Sequence, residues 1–483
     1  NLLSMERQVP STLGTTQFTG EIAFLLGGSY SMPLRSFQET RVIAVSREKV
    51  LELMSTNPEM SDIIITVFSA RRRRLWEDGE SSLTIIGSER SKELRGLEAF
   101  LDGNRIPYFS CELESQTAKE IFEKCPELKP EPIVFIANTE SVLEPNPESV
   151  AKALGLDMAL TKNEEIDLAI VGGGPAGVAA AVYAGAEGIP AMVIEAQAIG
   201  GQAGTSSRIE NYMGFPTGIS GSDLVWRGEI QALKFGTRFV FPRKLTAIRQ
   251  LPDSRYTLTL NDGCEVTAKA VVIATGVQYR KLPIENLEKF EGDGVYYSAT
   301  EGELRYCRNQ EIAISGGGNS AGQAAMFLSR GVKQVHILVR GDSLANSMSD
   351  YLKSRIESEP NITIHYNTEA TEIICDNQME GLKLKDRKSG DERRLDTKAW
   401  FIMIGAVPNT ACLEDIVDLD EKGFILTGES VGTDSPFQTS RPGIFAVGDI
   451  RSGSVKRVAS AVGEGSVSIS KVWQYIKDYG SNT

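Results

Sequence analysis

The chain has 483 residues, 41% hydrophobic and 24% charged, the make-up of an ordinary soluble protein too long for a single core. Its formal net charge of -13 speaks against nucleic acid or an acidic membrane as the main partner. No apolar run reaches the ~18 residues of a membrane helix, and the start carries no signal-peptide pattern, so a cytoplasmic protein is expected. The first residue is Asn1, not Met, which places the expected natural start upstream. The six cysteines (Cys111, Cys125, Cys264, Cys307, Cys375 and Cys412) show neither metal spacing nor a paired framework. Most are expected to be buried small hydrophobes in a reducing compartment. With only His336 and His365, both beside strand-like residues, no histidine metal site or nucleophile relay is expected.

After an irregular start comes Gly20-Glu21-Ile22-Ala23-Phe24-Leu25-Leu26-Gly27, then a strand-like run from Thr40 to Val45. Ser46 caps a predicted helix reaching Met54, with apolar residues at helical spacing. A second helix is predicted from about Pro58 to Trp76, and Arg71-Arg72-Arg73-Arg74 reads as its solvated end. The polar patch Glu77-Asp78-Gly79-Glu80-Ser81-Ser82 reads as a linker. Residues 83 to about 150 read strand, helix, strand, helix, strand, the order of a small α/β domain. Its strands are Leu83–Ile86, Ile106–Cys111 and Ile133–Ile136. A second linker, Thr161-Lys162-Asn163-Glu164-Glu165, leads to short apolar strands alternating with helices to the end.

The first of these strands, Leu168-Ala169-Ile170-Val171, runs into Gly172-Gly173-Gly174-Pro175-Ala176-Gly177. Gly172 permits the tight turn, Gly174 lets the backbone approach a pyrophosphate, and Gly177 lets the helix pack on the strand. The helix N-terminus then faces the phosphate charge. A second strand, Ala191-Met192-Val193-Ile194, ends at Glu195, about 20 residues on, where an acid binds ribose hydroxyls. Three further segments belong with this unit: Gly200-Gly201-Gln202, Ala274-Thr275-Gly276 after the strand Ala270–Ile273, and Gly443-Ile444-Phe445-Ala446-Val447-Gly448-Asp449. Together with Ile209-Glu210-Asn211-Tyr212 and Gly214-Phe215-Pro216, the set resembles the low-molecular-weight thioredoxin reductases, a family of FAD proteins, over residues 165–483. The resemblance implies that Gly172, Gly174, Pro175, Ala176 and Gly177 hold the FAD pyrophosphate and that Glu195 binds the adenosine ribose. Gln202 and Asn211 lie near the isoalloxazine, and Asp449 binds the ribityl chain. Lys456, Arg457 and Val458 run along the flavin edge. Gly201, Ala274, Thr275, Gly276 and Gly448 complete the implied FAD positions.

A second unit follows. Ile312-Ala313-Ile314 leads into Gly316-Gly317-Gly318-Asn319-Ser320-Ala321, which fits the G-x-G-x-x-A form at Gly316, Gly318 and Ala321, with Asn319 and Ser320 between. The next strand, Val335-His336-Ile337-Leu338-Val339, ends at Arg340 and not at an acid. An arginine pairs with a 2′-phosphate, which favours NADPH over NADH, and Arg355 is a second candidate. The family shows a His-Arg-Arg cluster here, where this chain has Arg340-Gly341-Asp342. Met403-Ile404-Gly405 and Pro408-Asn409 resemble the family's return to the FAD domain.

Thioredoxin reductases carry Cys-Ala-Thr-Cys just before the second glycine turn. The matching segment follows Gly294-Val295-Tyr296-Tyr297 and reads Ser298-Ala299-Thr300-Glu301. Ser298 and Glu301 therefore occupy the family's cysteine positions, and a serine hydroxyl forms no disulfide. No catalytic residue is assigned here; Glu301 is read first as a solvated carboxylate and is also open to a proton-relay role. The small α/β domain repeats the substitution. Gly87-Ser88-Glu89-Arg90-Ser91 stands at the strand–helix junction where thioredoxins and glutaredoxins carry Cys-x-x-Cys, and Glu131-Pro132-Ile133 matches their cis-proline position. This domain resembles a thioredoxin fold without its thiols. The Gly20-Glu21 segment with its strand and two helices resembles the later half of a cyclic-nucleotide-binding domain. That family's phosphate-binding arginine falls due at Tyr30 or Ser31, and the nearest arginine is Arg35. A relic, or such a domain truncated in this chain, is expected, without cAMP or cGMP binding but open to a role in dimer contacts or autoregulation.

The expected architecture is α/β. Two Rossmann-like domains, with the NADPH domain inserted in the FAD domain, follow a thioredoxin-like domain and a partial cyclic-nucleotide-binding-like segment. The expected boundaries are 1–80, 83–158, 165–282 with 409–483 for FAD, and 283–408 for NAD(P)H. The expected activity is an FAD-dependent NAD(P)H oxidoreductase passing electrons to a non-dithiol acceptor: a quinone, oxygen, a ferredoxin or flavodoxin, or a small disulfide. The alternatives are thioredoxin reduction through an external thiol partner and a redox or nucleotide sensor with little turnover. A homodimer is implied by the resemblance.

Overall fold

The structure, a computed structural model, describes residues 18, 20, 36, 38–57, 59–67, 83–87, 92–104, 106, 108–124, 132–136, 140–154, 156, 160, 163–204, 209, 212–291, 293–297, 299, 301–344, 348–376 and 378–481. It divides into two compact units. The first contains 1–205, 221–276 and 410–483, and the second 206–220 and 277–409. No helix of the described residues is long and apolar enough to cross a membrane.

The strand expected from Thr40 to Val45 does not form; Val42, Ile43 and Val45 are exposed and irregular. A strand needs a partner for its backbone groups, and no described residue pairs with this one. Ser46 does cap helix α1 (Arg47–Thr56), accepting from the Lys49 N–H. A second helix, α2, covers 59–67. Met54 and Ile64 from these helices form a small core with Trp226 and Ile230. The Glu21 to Arg35 stretch, the Arg71–Arg74 run and the first linker lie outside the described residues.

The small domain comprises β1 (Leu83–Ile86), α3 (Lys92–Gly103), β2 (Tyr108–Cys111), α4 (Gln116–Lys124), β3 (Ile133–Ile136), β4 (Glu140–Leu143) and α5 (Pro147–Ala153). The sheet order is β2-β1-β3-β4. β1 and β2 are parallel, and β3 is antiparallel to both β1 and β4. Strand alternation divides the core: Leu83, Ile85 and Val134 face Leu97, Leu101 and Val150, while Ile86 and Ile133 face Ala118 and Ile121. The last strand and helix extend the element order expected from sequence. β4 reads Glu-Ser-Val-Leu, which has no apolar run, and α5 is announced only by its Asn146–Ser149 capping box and Pro147.

The next strand, β5 (Glu164–Val171), absorbs Glu164 and Glu165, which the sequence placed in a linker. Both lie in register with β10, and their charges are met by Arg238 and Arg255. After it come α6 (Pro175–Ala186), β6 (Ala191–Ile194), α7 (Gly201–Gly204), α8 (Gly221–Lys234), β7 (Arg238–Val240), β8 (Leu245–Gln250), β9 (Tyr256–Leu260) and β10 (Glu265–Ile273). Strands β7, β6, β5 and β10 are parallel in that order, and β9 and β8 extend the sheet antiparallel.

The second unit begins with β11 (Val277–Tyr279), β12 (Val295–Tyr296), α9 (Glu301–Tyr306), β13 (Glu311–Ser315), α10 (Asn319–Leu328), β14 (Gln334–Leu338), α11 (Asp350–Ser358) and β15 (Ile362–His365). An antiparallel sheet of β16 (Thr368–Cys375), β17 (Met379–Asp386) and β18 (Glu392–Asp396) follows, then β19 (Ala399–Ile402) and β20 (Ala406–Pro408). Its main sheet, β12-β19-β13-β14-β15, is parallel throughout. The chain then returns to the first unit, where β21 (Ile444–Ala446) joins β10 and α12 (Val458–Ser481) packs along α6. Small residues permit that approach, since a Cβ on Gly465 would lie 2.2 Å from the Ala176 carbonyl oxygen.

Five of the six cysteines are described, and only Cys307 is buried. Cys111, Cys264 and Cys412 are half-buried and Cys375 is exposed, which corrects the expectation of mostly buried thiols. The two histidines meet: His336 Nδ1 lies 3.0 Å from His365 Nε2, with the rings stacked. Arg393 donates to His365 Nδ1 at 2.8 Å, so the proton of neutral His365 sits on Nε2 and is donated to His336, whose own Nε2–H faces Glu311. Burial first, then the Arg393 charge, pulls His365 down to about 4. An unfolded histidine titrates near ~6.5, so between these values the unfolded chain binds more protons. The second unit should therefore lose stability as pH falls from about 6.5 toward 4. Thermal unfolding of His365→Gln across that range should show a shallower pH slope than the parent; equal slopes would refute this.

Candidate functional site

In the first unit the glycine turn is set by backbone contacts. Gly172 has φ +107°, and a Cβ there would lie 2.4 Å from the Ala274 carbonyl oxygen and 3.0 Å from the Thr275 nitrogen. A Cβ on Gly177 would lie 1.9 Å from the Gly172 carbonyl oxygen. Both positions are closed to any other residue. Gly174, the N-cap of α6, makes no side-chain cap, and Pro175 has no N–H to satisfy. The space a Gly174 Cβ would occupy is clear to 4.0 Å, where it meets Gly201 Cα. An uncapped helix start with open space before it fits an anion such as a pyrophosphate.

Glu195, at the end of β6, is held by the Gly173 N–H at 2.6 Å on Oε2 and the Gln197 N–H at 2.9 Å on Oε1. Burial raises its carboxyl pKa, and the backbone N–H groups pull against that rise. Each oxygen retains lone-pair capacity for a ribose hydroxyl. Gly448 approaches the turn from the other side, its Cβ position 3.0 Å from Ala176 Cβ. The half-buried Asp449 next to it is raised by burial and lowered by the Lys456 charge. Burial likewise lowers Lys456, whose ammonium lies 4.6 Å over the Phe424 ring. Gly276 has φ +61°. Gln202 and Arg457 are exposed and Val458 starts α12. Asn211 and Ser298 lie outside the described residues.

The sequence reading missed Glu464. From α12 it accepts the Gly448 N–H at 2.7 Å, the Arg451 guanidinium at 2.7 Å and the Ser454 hydroxyl at 3.1 Å. It thereby fixes the turn that carries Asp449. The available signal was an acid between two helical glycines, Gly463-Glu464-Gly465.

In the second unit Gly316 has φ +146°, and its Cβ would lie 2.4 Å from the Met403 carbonyl oxygen and 3.1 Å from Ala321 Cβ. Gly318 is the N-cap of α10, again without a side-chain cap, so this helix start also fits a phosphate. Asn319 is turned to its own scaffold, accepting the Ser349 N–H at 2.9 Å, and Ser320 is exposed. Arg340 is exposed after β14, and Arg387 donates to its carbonyl at 3.3 Å. Arg355 lies against Tyr351 on α11.

Ahead of that turn, Tyr297 stacks on Tyr279 with centroids 5.7 Å apart and donates to Glu291 at 2.7 Å. Glu301 opens α9. Cys307 follows it, buried, its thiol pushed up to about 12 by burial.

Two strand–glycine turn–helix units, each with an uncapped helix start, define a protein built for two dinucleotides. The family profile for pyridine nucleotide-disulphide oxidoreductase matches residues 166–465, and the chain belongs to that family, among the thioredoxin reductases. It is an FAD-dependent oxidoreductase with FAD and NADPH as cofactors. It is 34% identical over 313 residues to a thioredoxin reductase of Treponema pallidum, covering 65% of this chain and 97% of that protein. It is 32% identical over 317 residues to NADPH-dependent thioredoxin reductase 3 of Arabidopsis thaliana, covering 64% of this chain and spanning 58% of that longer protein. The thioredoxin reductase structure from Streptococcus pyogenes MGAS5005 superposes with a TM-score of 0.58 at 29% identity, covering 65% of this chain and 99% of that one.

Proposed function

We propose that the chain passes electrons from NADPH through FAD to an acceptor other than a dithiol of its own. The observation that carries this is the residue set at the family's disulfide position. Ser298 and Glu301 stand there, and Cys307, the next thiol along the chain, is buried with its pKa at about 12. At neutral pH such a thiol has almost no thiolate, the species that exchanges with disulfides. When bound, NADPH supplies a hydride and FAD accepts it and passes the electrons on. The chain's own contribution is binding and orientation. In this reading the α6 N-terminus and Glu195 hold the pyrophosphate and adenosine ribose, and Asp449, set by Glu464, holds the ribityl chain. The α10 N-terminus holds the NADPH pyrophosphate, and Arg340 meets its 2′-phosphate.

Anaerobic NADPH should bleach the flavin band of the purified protein. Re-oxidation should follow addition of a quinone or a one-electron protein acceptor, and not of thioredoxin. Rapid re-oxidation by thioredoxin would sink the proposal in favour of disulfide reduction. Arg340→Ala should raise the KM for NADPH about tenfold and leave that for NADH unchanged, since a charged hydrogen bond to the phosphate is lost. Parallel changes for both donors would remove Arg340 from the phosphate site.

The small domain is read as a thioredoxin-like fold without the Cys-x-x-Cys pair, supported by its β2-β1-β3-β4 order with β3 antiparallel to its neighbours. Residues 1–80 are read as a cyclic-nucleotide-binding relic on their sequence pattern, and the whole as a homodimer on the family resemblance.

A further inference from the structure

A redox carrier domain must leave its electron donor to deliver electrons. The small domain here packs on the loop that follows Glu195. Asn104, at the end of α3, is 5% exposed. Its Nδ2 donates to the Phe100 carbonyl at 2.8 Å and across the domain boundary to the Gln197 carbonyl at 3.2 Å. The N–H of that same Gln197 donates to Glu195 Oε1 at 2.9 Å. One peptide residue thus links Asn104 to the Glu195 carboxylate. Beside it, a Cβ on Gly103 would lie 2.9 Å from Ala198 Cβ, so the helix end sits directly on the loop. Ile199 packs against the small-domain core and the FAD-domain core alike, and its Cδ1 lies 2.7 Å from where a Gly173 Cβ would be. Gly200 closes the loop, its N–H donating to the Gly173 carbonyl at 2.9 Å.

Two further contacts join the domains. Phe241, from the end of β7, is 2% exposed and belongs to the small domain's own core. Asn261 donates to Glu148 at 3.1 Å, a second polar link between the domains.

We infer that the small domain serves as a fixed clamp on the adenosine end of the FAD site. Asn104 is its positioning residue, acting through Gln197 on Glu195. The inference rests on the reading of Glu195 as the ribose acid. The domain holds 195–200 in the conformation in which the Glu195 carboxylate meets the Gly173 and Gln197 N–H groups. Its function is retention of FAD, and carrying electrons is not part of it.

The test uses the full chain and measures FAD release directly. Holoprotein is diluted, and the flavin still bound is followed over time by rapid gel filtration. Asn104→Ala should release FAD about fivefold faster, the effect of losing one hydrogen bond. Ile121→Ala, on the other face of the small-domain sheet in the core that Ile199 and Phe241 do not join, controls for loss of stability alone. At a temperature where both variants stay folded by circular dichroism, Ile121→Ala should release FAD at the parental rate. Parental release from Asn104→Ala, or equal acceleration by Ile121→Ala, would overturn the clamp. A parent that takes up no FAD at all would instead overturn the cofactor reading beneath it.

Discussion

Gly177→Ala and Gly465→Ala should each bind FAD about tenfold more weakly, while Gly463→Ala keeps the parental affinity. The argument is steric. A Cβ added at Gly177 would sit 1.9 Å from the Gly172 carbonyl oxygen, and one added at Gly465 would sit 2.2 Å from the Ala176 carbonyl oxygen. Both obstacles are backbone, at the turn that opens α6, and no side-chain rotation relieves them. The clash must push α6 off β5 or α12 off α6, and either shift misplaces the uncapped N–H groups that face the pyrophosphate. Overpacking of this kind costs about 1–3 kcal/mol, and each 1.4 kcal/mol is about a factor of ten in binding. Gly463 is two residues from Gly465 on the same helix, and nothing lies within 4 Å of its Cβ position. Alanine there removes a helical glycine and should stabilise by about 1 kcal/mol. A titration of apoprotein with FAD checks all three variants. Parental affinity in Gly177→Ala would remove the first turn from the FAD site.

That turn was legible in the sequence because its demands are local. Three glycines at fixed spacing, a strand before and an acid after are consequences of one backbone path, and each leaves a residue type behind. Gly172, Gly174, Gly177 and Glu195 were found this way. Glu464 was not, because its partners Gly448, Arg451 and Ser454 come together only through the packing of α12. Asn104 was hidden for the same reason, since its partner Gln197 is 93 residues away in the chain. The unformed strand at Thr40 to Val45 shows the converse. A run of β-branched residues such as Val42, Ile43 and Val45 records a preference for a sheet, and the preference is realised only where a neighbouring strand supplies the hydrogen bonds. Glu164 and Glu165 looked like linker because they are charged, yet Arg238 and Arg255 let them sit inside β5.

Restoring both thiols, by Ser298→Cys together with Glu301→Cys, should change the electron capacity of the protein. The parent has one two-electron site, the FAD, so anaerobic titration should end near about one NADPH per flavin. The restored cysteine pair adds a disulfide that takes two more electrons, and the endpoint should move to about two. The segment keeps Ala299-Thr300 between the two positions and Gly294-Val295-Tyr296-Tyr297 before them, so the double substitution completes the family's Cys-Ala-Thr-Cys. Two new thiols should then react with an alkylating reagent after NADPH treatment and not before. Cys307 does not interfere, because burial holds its thiol protonated. The single variants are the controls, since one cysteine cannot store the pair and each should titrate like the parent. An unchanged endpoint in the double variant, with its disulfide formed beforehand, would mean that the flavin cannot deliver electrons to this position. The loss of the cysteines would then be one part of a wider remodelling of the acceptor side, and the sought acceptor would have to dock elsewhere on the flavoprotein.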